Sequence, residues 1–226
     1  MPVSILDLVF PSVCLWCSEQ SGLLCERCLD RLPKTAIEVF RGEGMSFRGA
    51  AFGRLDADAK LFLHEVKDRQ QTAYLKAIGP HLAASFDNQL EHLGWQSAQL
   101  VPIPPSQRGW SSRGFNPAES LVRELVRHSR FPLKLTRAIE YRRTVDDQRV
   151  LSASQRSQNL AGAFVVPRPD RLHGPKAIFI VDDVVTTGST ILAARSALAE
   201  AGFEAAGFFA FAETFLKNAT TGTKWV

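Results

Sequence analysis

The chain has no apolar run approaching the 18 residues that a membrane-spanning helix needs, so no membrane span is expected. Its first ten residues lack a basic cluster and include Asp7, which argues against a secretory leader. A cytoplasmic location is therefore the expectation. Charge of one sign is also scarce. Twenty-seven Lys and Arg stand against 23 Asp and Glu, a formal surplus of +4. That surplus suits anionic ligands, but it does not by itself single out nucleic acid. Cysteine is absent after residue 28, so no disulfide framework can run through the body of the protein.

What remains is sufficient for an ordinary folded protein. At 226 residues and 45% hydrophobic, the chain can bury a sizeable core in one main domain with a small accessory unit. We expect the accessory unit over residues 1–45 and the main domain over 46–226.

The four cysteines define the accessory unit. They form two C-x-x-C knuckles, Cys14–Cys17 and Cys25–Cys28, with Gly22 easing the turn between them. Four thiolates at this spacing suit one tetrahedral Zn²⁺. The rivals are paired disulfides or a redox motif; a reducing cytosol disfavours the first, and the second needs no duplicate. Four protein ligands would leave no open coordination position, so such a zinc is expected to be structural. Trp16, Leu23 and Leu24 are the expected packing residues of the knuckle.

Residues 33–50, with Pro33, Gly42, Gly44 and Gly49, read as a connector or short strands. From Leu55 to Ser85 apolar residues recur at helical spacing, giving two helices broken near Lys67-Asp68-Arg69. Leu100 to Pro104 reads as a short strand whose prolines keep it from pairing regularly on both sides. Asn116 followed by Pro117 is a helix start, with the helix running to about Arg127. Arg108 and Arg113 lie on the strand-to-helix loop before it, where open α/β sheets bind ligands. Their guanidinium groups suit bidentate phosphate contacts. Residues 137–162 are rich in charge and read as a lid, carrying Arg143 and Arg156.

The densest chemistry lies at Ala177-Ile-Phe-Ile-Val-Asp-Asp-Val-Val-Thr-Thr-Gly-Ser-Thr190. An apolar strand meets two carboxylates, a hydroxyl-rich turn and then a helical pattern, Ile191 to Ala201, closed by Gly202. Unpaired N–H groups at a helix start attract phosphate, and Gly188 lets the backbone approach it closely. The two acids can accept hydrogen bonds from ribose hydroxyls or sit beside magnesium. Together these features suit a sugar phosphate.

The string Val181 to Thr190 resembles the phosphoribosyl-pyrophosphate (PRPP) loop of type I phosphoribosyltransferases. The resemblance extends to the competence protein ComF (ComF/GntX) branch through the four cysteines, Val101-Pro-Ile-Pro104, Arg113-Gly-Phe-Asn116, Arg143-Thr144, Gln148, Leu151-Ser152, Arg156 and Asn159. The chain departs from that pattern at Asp68 and Pro117. The resemblance implies an α/β fold: a Rossmann-like parallel sheet flanked by helices, with a small N-terminal four-cysteine zinc finger. It implies that Asp182 and Asp183 hold ribose, and that Val184, Val185, Thr186, Thr187, Gly188, Ser189 and Thr190 complete the loop around the 5′-phosphate. Arg108, Arg113, Lys67, Arg143 and Arg156 would serve pyrophosphate or substrate, with Mg²⁺ accompanying PRPP. It also implies a link to DNA uptake in natural transformation, with a competence helicase and a recombination mediator as partners. Two classes stay open: a phosphoribosyltransferase, or a non-catalytic adaptor binding single-stranded DNA or protein.

Overall fold

The computed structural model describes residues 13–41, 46–106, 109–111, 114–142, 160, 162–172, 174 and 176–214. Among them, six strands form one sheet in the order β1-β2-β8-β7-β3-β4. These are β1 (Ile37–Arg41), β2 (Phe47–Arg54), β3 (Ala98–Pro102), β4 (Leu133–Leu135), β7 (Ala177–Val185) and β8 (Gly207–Glu213). Only the β1–β2 pair is antiparallel. β5 (Glu140–Tyr141) and β6 (Phe164–Val165) form a separate antiparallel ribbon. The helices are α1 (Glu26–Leu29), α2 (Ala57–Lys67), α3 (Ala73–His92), α4 (Pro117–His128) and α5 (Ser189–Glu200).

Strand alternation builds two cores from β7 and its neighbours. Phe179 and Val181 face one side with Phe209, Leu100 and the buried faces of α2, α3 and α4. Ile178 and Ile180 face the other with Phe208, Val101 and α5 residues Ile191, Ala194 and Leu198. A sheet covered on both faces needs near-continuous apolar strands, which is why Ala177–Val181 carries no polar residue. Among the described residues, no helix is long and apolar enough to cross a membrane.

Several expectations shift once long-range pairing is in place. The segment 33–50 supplies β1 and the start of β2, so β1 lies at the sheet edge although it falls within residues 1–45. The second predicted helix runs on past Ser85 to His92 and accommodates Pro80. β3 is paired on both sides only before its prolines, and at Pro102 on one side alone. The β4 ladder uses Ala98–Leu100, while Pro102 pairs with Val181 of β7. The prolines come after β4 has left. β7 also does not stop at the acids: it continues through Val185, because β8 keeps pairing alongside it.

The helix start at Asn116 is as expected. Its side chain accepts from the Ala118 N–H at 3.0 Å, with Pro117 at the first position, and it donates to the Ile103 carbonyl at 2.9 Å. One residue therefore fixes both ends of the β3–α4 connection. The ribbon of β5 and β6 does the same for the predicted lid, whose two ends meet where the Arg142 N–H donates to Ala163 at 2.7 Å.

Candidate functional site

β3 pairs with β7 only as far as Val181, so Asp182 and Asp183 lie where that neighbour has departed. Both are half-buried. The Asp182 carboxylate accepts from the Asp183 N–H at 2.8 Å. Asp183 reaches Lys67, the last residue of α2, at 2.7 Å. Thus the structure brings the predicted lysine to the predicted acids, but as the partner of Asp183. Burial, then the charge of Asp183, pushes the Asp182 carboxyl up to about 8, against the opposing pull of the Asp183 N–H and Lys67. Tyr141, at the mouth of the lid, is raised by burial and by the charge of Asp182. It was not singled out in the sequence, where it read as one member of a charged lid.

After β7 the chain turns through Thr186, Thr187 and Gly188 into α5. Gly188 has φ +83°, in the left-handed region. The hydroxyls of Thr187 and Ser189 hydrogen-bond at 2.9 Å, and the Ser189 N–H points to Thr187 Oγ1 at 3.4 Å. The N–H groups of Thr187 and Gly188 donate to nothing among the described residues. Two adjacent free N–H groups at a helix start make an anion-binding concavity. Val185 is buried in the α5-side core and Val184 packs on the other core, so their side chains shape the turn from beneath. Arg108, Arg113, Arg143 and Arg156 lie outside the described residues.

A second residue missed in the sequence is Arg41, the last of β1, which is only 5% exposed. It pairs with Glu213 at 3.1 Å and donates from Nε to the Thr186 carbonyl at 2.9 Å. A mainly apolar cavity of about 290 Å³, lined by Ala36, Ala50, Leu93, Arg48 and Gln89 among others, shares no lining residue with this site.

The cysteine unit is a separate centre. The four Sγ atoms lie within 4.8 Å of one another, and none is in a disulfide. Thiolates about 2.3 Å from a tetrahedral zinc stand a little under 4 Å apart, so the donor set fits. The thiols also differ. Burial pushes Cys14 up, but hydrogen bonds from the backbone of Cys25, Cys17 and Trp16 prevail and bring it to about 6. Burial, then the neighbouring thiols, drives Cys28 up to about 12. Cys17 is lowered too, chiefly by a hydrogen bond from the Glu19 backbone, and a divalent cation would favour the thiolate form of all four ligands. Trp16 stacks on Phe62 at 6.1 Å and Leu24 is buried, whereas Leu23 stays exposed. Protein purified under reducing conditions is expected to carry about one zinc per chain. Elemental analysis checks this, and a metal content near zero would contradict it.

The family match falls on this architecture. Residues 109–224, which hold the acids and the whole β7–α5 turn, match the phosphoribosyl transferase domain family. The chain belongs to that family. Its relatives place it in the ComF branch. It is 28% identical over 200 residues to the DNA utilization protein YhgH of Escherichia coli K12, covering 84% of each chain. It is 34% identical over 106 residues to Competence protein F of Haemophilus influenzae, 46% of this chain and 45% of that one. Competence protein ComFC of Streptococcus pneumoniae is 30% identical over 110 residues, 48% and 44% of the two chains.

Proposed function

We propose that this phosphoribosyltransferase-like protein binds PRPP with Mg²⁺ at the β7–α5 turn and serves DNA uptake and use inside the cell. The observation that carries the reading is the acid pair beside a turn with two N–H groups that have no partner among the described residues. In it, Asp182 and Asp183 accept hydrogen bonds from the ribose hydroxyls. The N–H groups of Thr187 and Gly188, with the hydroxyls of Thr186, Thr187, Ser189 and Thr190, hold the 5′-phosphate. Arg108 and Arg113, which follow β3 in the chain, would serve the pyrophosphate, and Arg143 and Arg156 of the predicted lid would exclude water. The magnesium that accompanies PRPP would neutralise charge on the departing pyrophosphate. Lys67 joins that role by leaving Asp183 when the ribose hydroxyls take its place. The names of the relatives support the link to DNA uptake, with a competence helicase and a recombination mediator as the proposed partners. The division into a zinc-holding finger at the N-terminus and a phosphoribosyltransferase domain is part of the same proposal.

A thermal-shift panel tests the reading. PRPP with Mg²⁺ is expected to raise the melting temperature more than ribose 5-phosphate or pyrophosphate does. Stabilisation by single-stranded DNA alone would turn the reading to the adaptor class.

A pH dependence follows from Asp182. Its carboxyl holds a proton up to about pH 8, and the ribose hydroxyls favour the ionised form. Affinity for PRPP with Mg²⁺ is therefore expected to weaken as pH falls below about 8, towards a limit of roughly tenfold per pH unit. Titration in buffers of different ionisation heat should show protons released on binding. Asp182→Asn should remove that release; an unchanged profile would contradict the assignment.

A further inference from the structure

Arg41 occupies a position where the strand pattern calls for an apolar side chain. In β1, Val39 and Arg41 are the two inward residues, and Val39 joins the α5-side core. Burying an arginine costs heavily unless its donors are used. Here they are spent on one small region. Nε donates to the Thr186 carbonyl at 2.9 Å. One terminal nitrogen donates to the Phe40 carbonyl at 2.8 Å, and the other to Glu213 at 3.1 Å and the Thr214 carbonyl at 3.3 Å. The aliphatic stem closes against the turn from beneath: a Cβ on Gly188 would lie 2.6 Å from Arg41 Cγ.

The direction of the Thr186 carbonyl is the informative part. In a trans peptide the C=O and the following N–H point to opposite sides. Drawing the Thr186 carbonyl towards Arg41 therefore turns the Thr187 N–H away from it, and that N–H has no partner among the described residues. Glu213 balances the guanidinium charge, so Arg41 acts on an anion through the peptide it holds more than through its own field.

We infer that Arg41 is a positioning residue that aims the Thr187 N–H at the 5′-phosphate, with Glu213 holding Arg41 in place. The inference rests on the proposed reading of the turn as the 5′-phosphate site. It gives the edge strand β1 a role in ligand binding and explains why a charged residue stands at a core position.

The test is a pair of variants titrated calorimetrically with ribose 5-phosphate and, separately, with pyrophosphate and Mg²⁺. Arg41→Met alone leaves Glu213 buried without its partner, so the working variant is Arg41→Met with Glu213→Gln; Arg41→Lys is the conservative companion. The double variant is expected to weaken ribose 5-phosphate roughly 10-fold or more, the scale of one lost charge-assisted hydrogen bond. Pyrophosphate binding should stay as in the unaltered protein, and Arg41→Lys should restore part of the loss. The Thr187 amide proton should move downfield with ribose 5-phosphate in the unaltered protein and much less in the double variant. Equal weakening of both ligands, or unchanged ribose 5-phosphate affinity, would overturn the inference while leaving the site reading intact. Failure of the unaltered protein to bind ribose 5-phosphate or PRPP would overturn that reading, and this inference with it.

Discussion

Changing Asp182 and Asp183 together to asparagine is expected to reduce PRPP affinity by at least about 100-fold while leaving the fold intact. Each carboxylate offers charge-assisted hydrogen bonds to a ribose hydroxyl, on the order of 1.5–3 kcal/mol apiece. Losing two such interactions corresponds to roughly two or more decades in affinity. The fold should survive because neither acid is a core residue. Both are half-buried, and Lys67, whose side chain is 20% exposed, can turn its ammonium to water once Asp183 is neutral. Removing Asp182 also removes a carboxyl strained by burial and by its neighbour, which should if anything favour the folded state at neutral pH. Binding calorimetry beside a denaturant melt separates the two effects. Retained affinity with an unchanged melt would contradict the role of the acids.

Gly188→Ala is expected to damage both stability and binding. At φ +83° any side chain costs about 1–2 kcal/mol relative to glycine. The new methyl would also lie 2.6 to 2.9 Å from three carbons of the Arg41 stem. Arg41 cannot swing aside cheaply, since four hydrogen bonds hold it, one of them the ion pair with Glu213. Overpacking of this kind adds typically 1–3 kcal/mol, for a total near ~2–5 kcal/mol. Relief must come from moving the turn, which misaims the Thr187 and Gly188 N–H groups and weakens phosphate binding as well. A melt indistinguishable from that of the unaltered protein would show that the turn is not held as described.

The two results also mark what the sequence could reveal. The acids, the hydroxyl-rich turn and the Asn116–Pro117 helix start were legible because each depends on neighbours in the chain: a strand, a cap, a turn. Gly202 ending α5 belongs with them. Arg41 and Lys67 were harder because their roles are set by residues far away in sequence. Arg41 acts on Thr186 and Glu213, 145 and 172 positions on. Its strand lies in a stretch that reads as a connector or short strands, and only pairing with β2 makes it an edge. Lys67 reads as a candidate site residue from the sequence, but its pairing with Asp183 does not, because an ion pair between the end of α2 and β7 is decided by how α2 packs on the sheet. The extension of β7 past the acids has the same origin. Two carboxylates argue locally for the end of a strand, and the ladder with β8 overrides them.

The central claim is that the β7–α5 turn is a phosphoribosyl site, and calorimetric titration of PRPP with Mg²⁺ into the full chain tests it most directly. Saturable binding at one site per chain, lost in the Asp182→Asn, Asp183→Asn protein, is the predicted result. No heat from PRPP in protein shown to be folded would contradict the account.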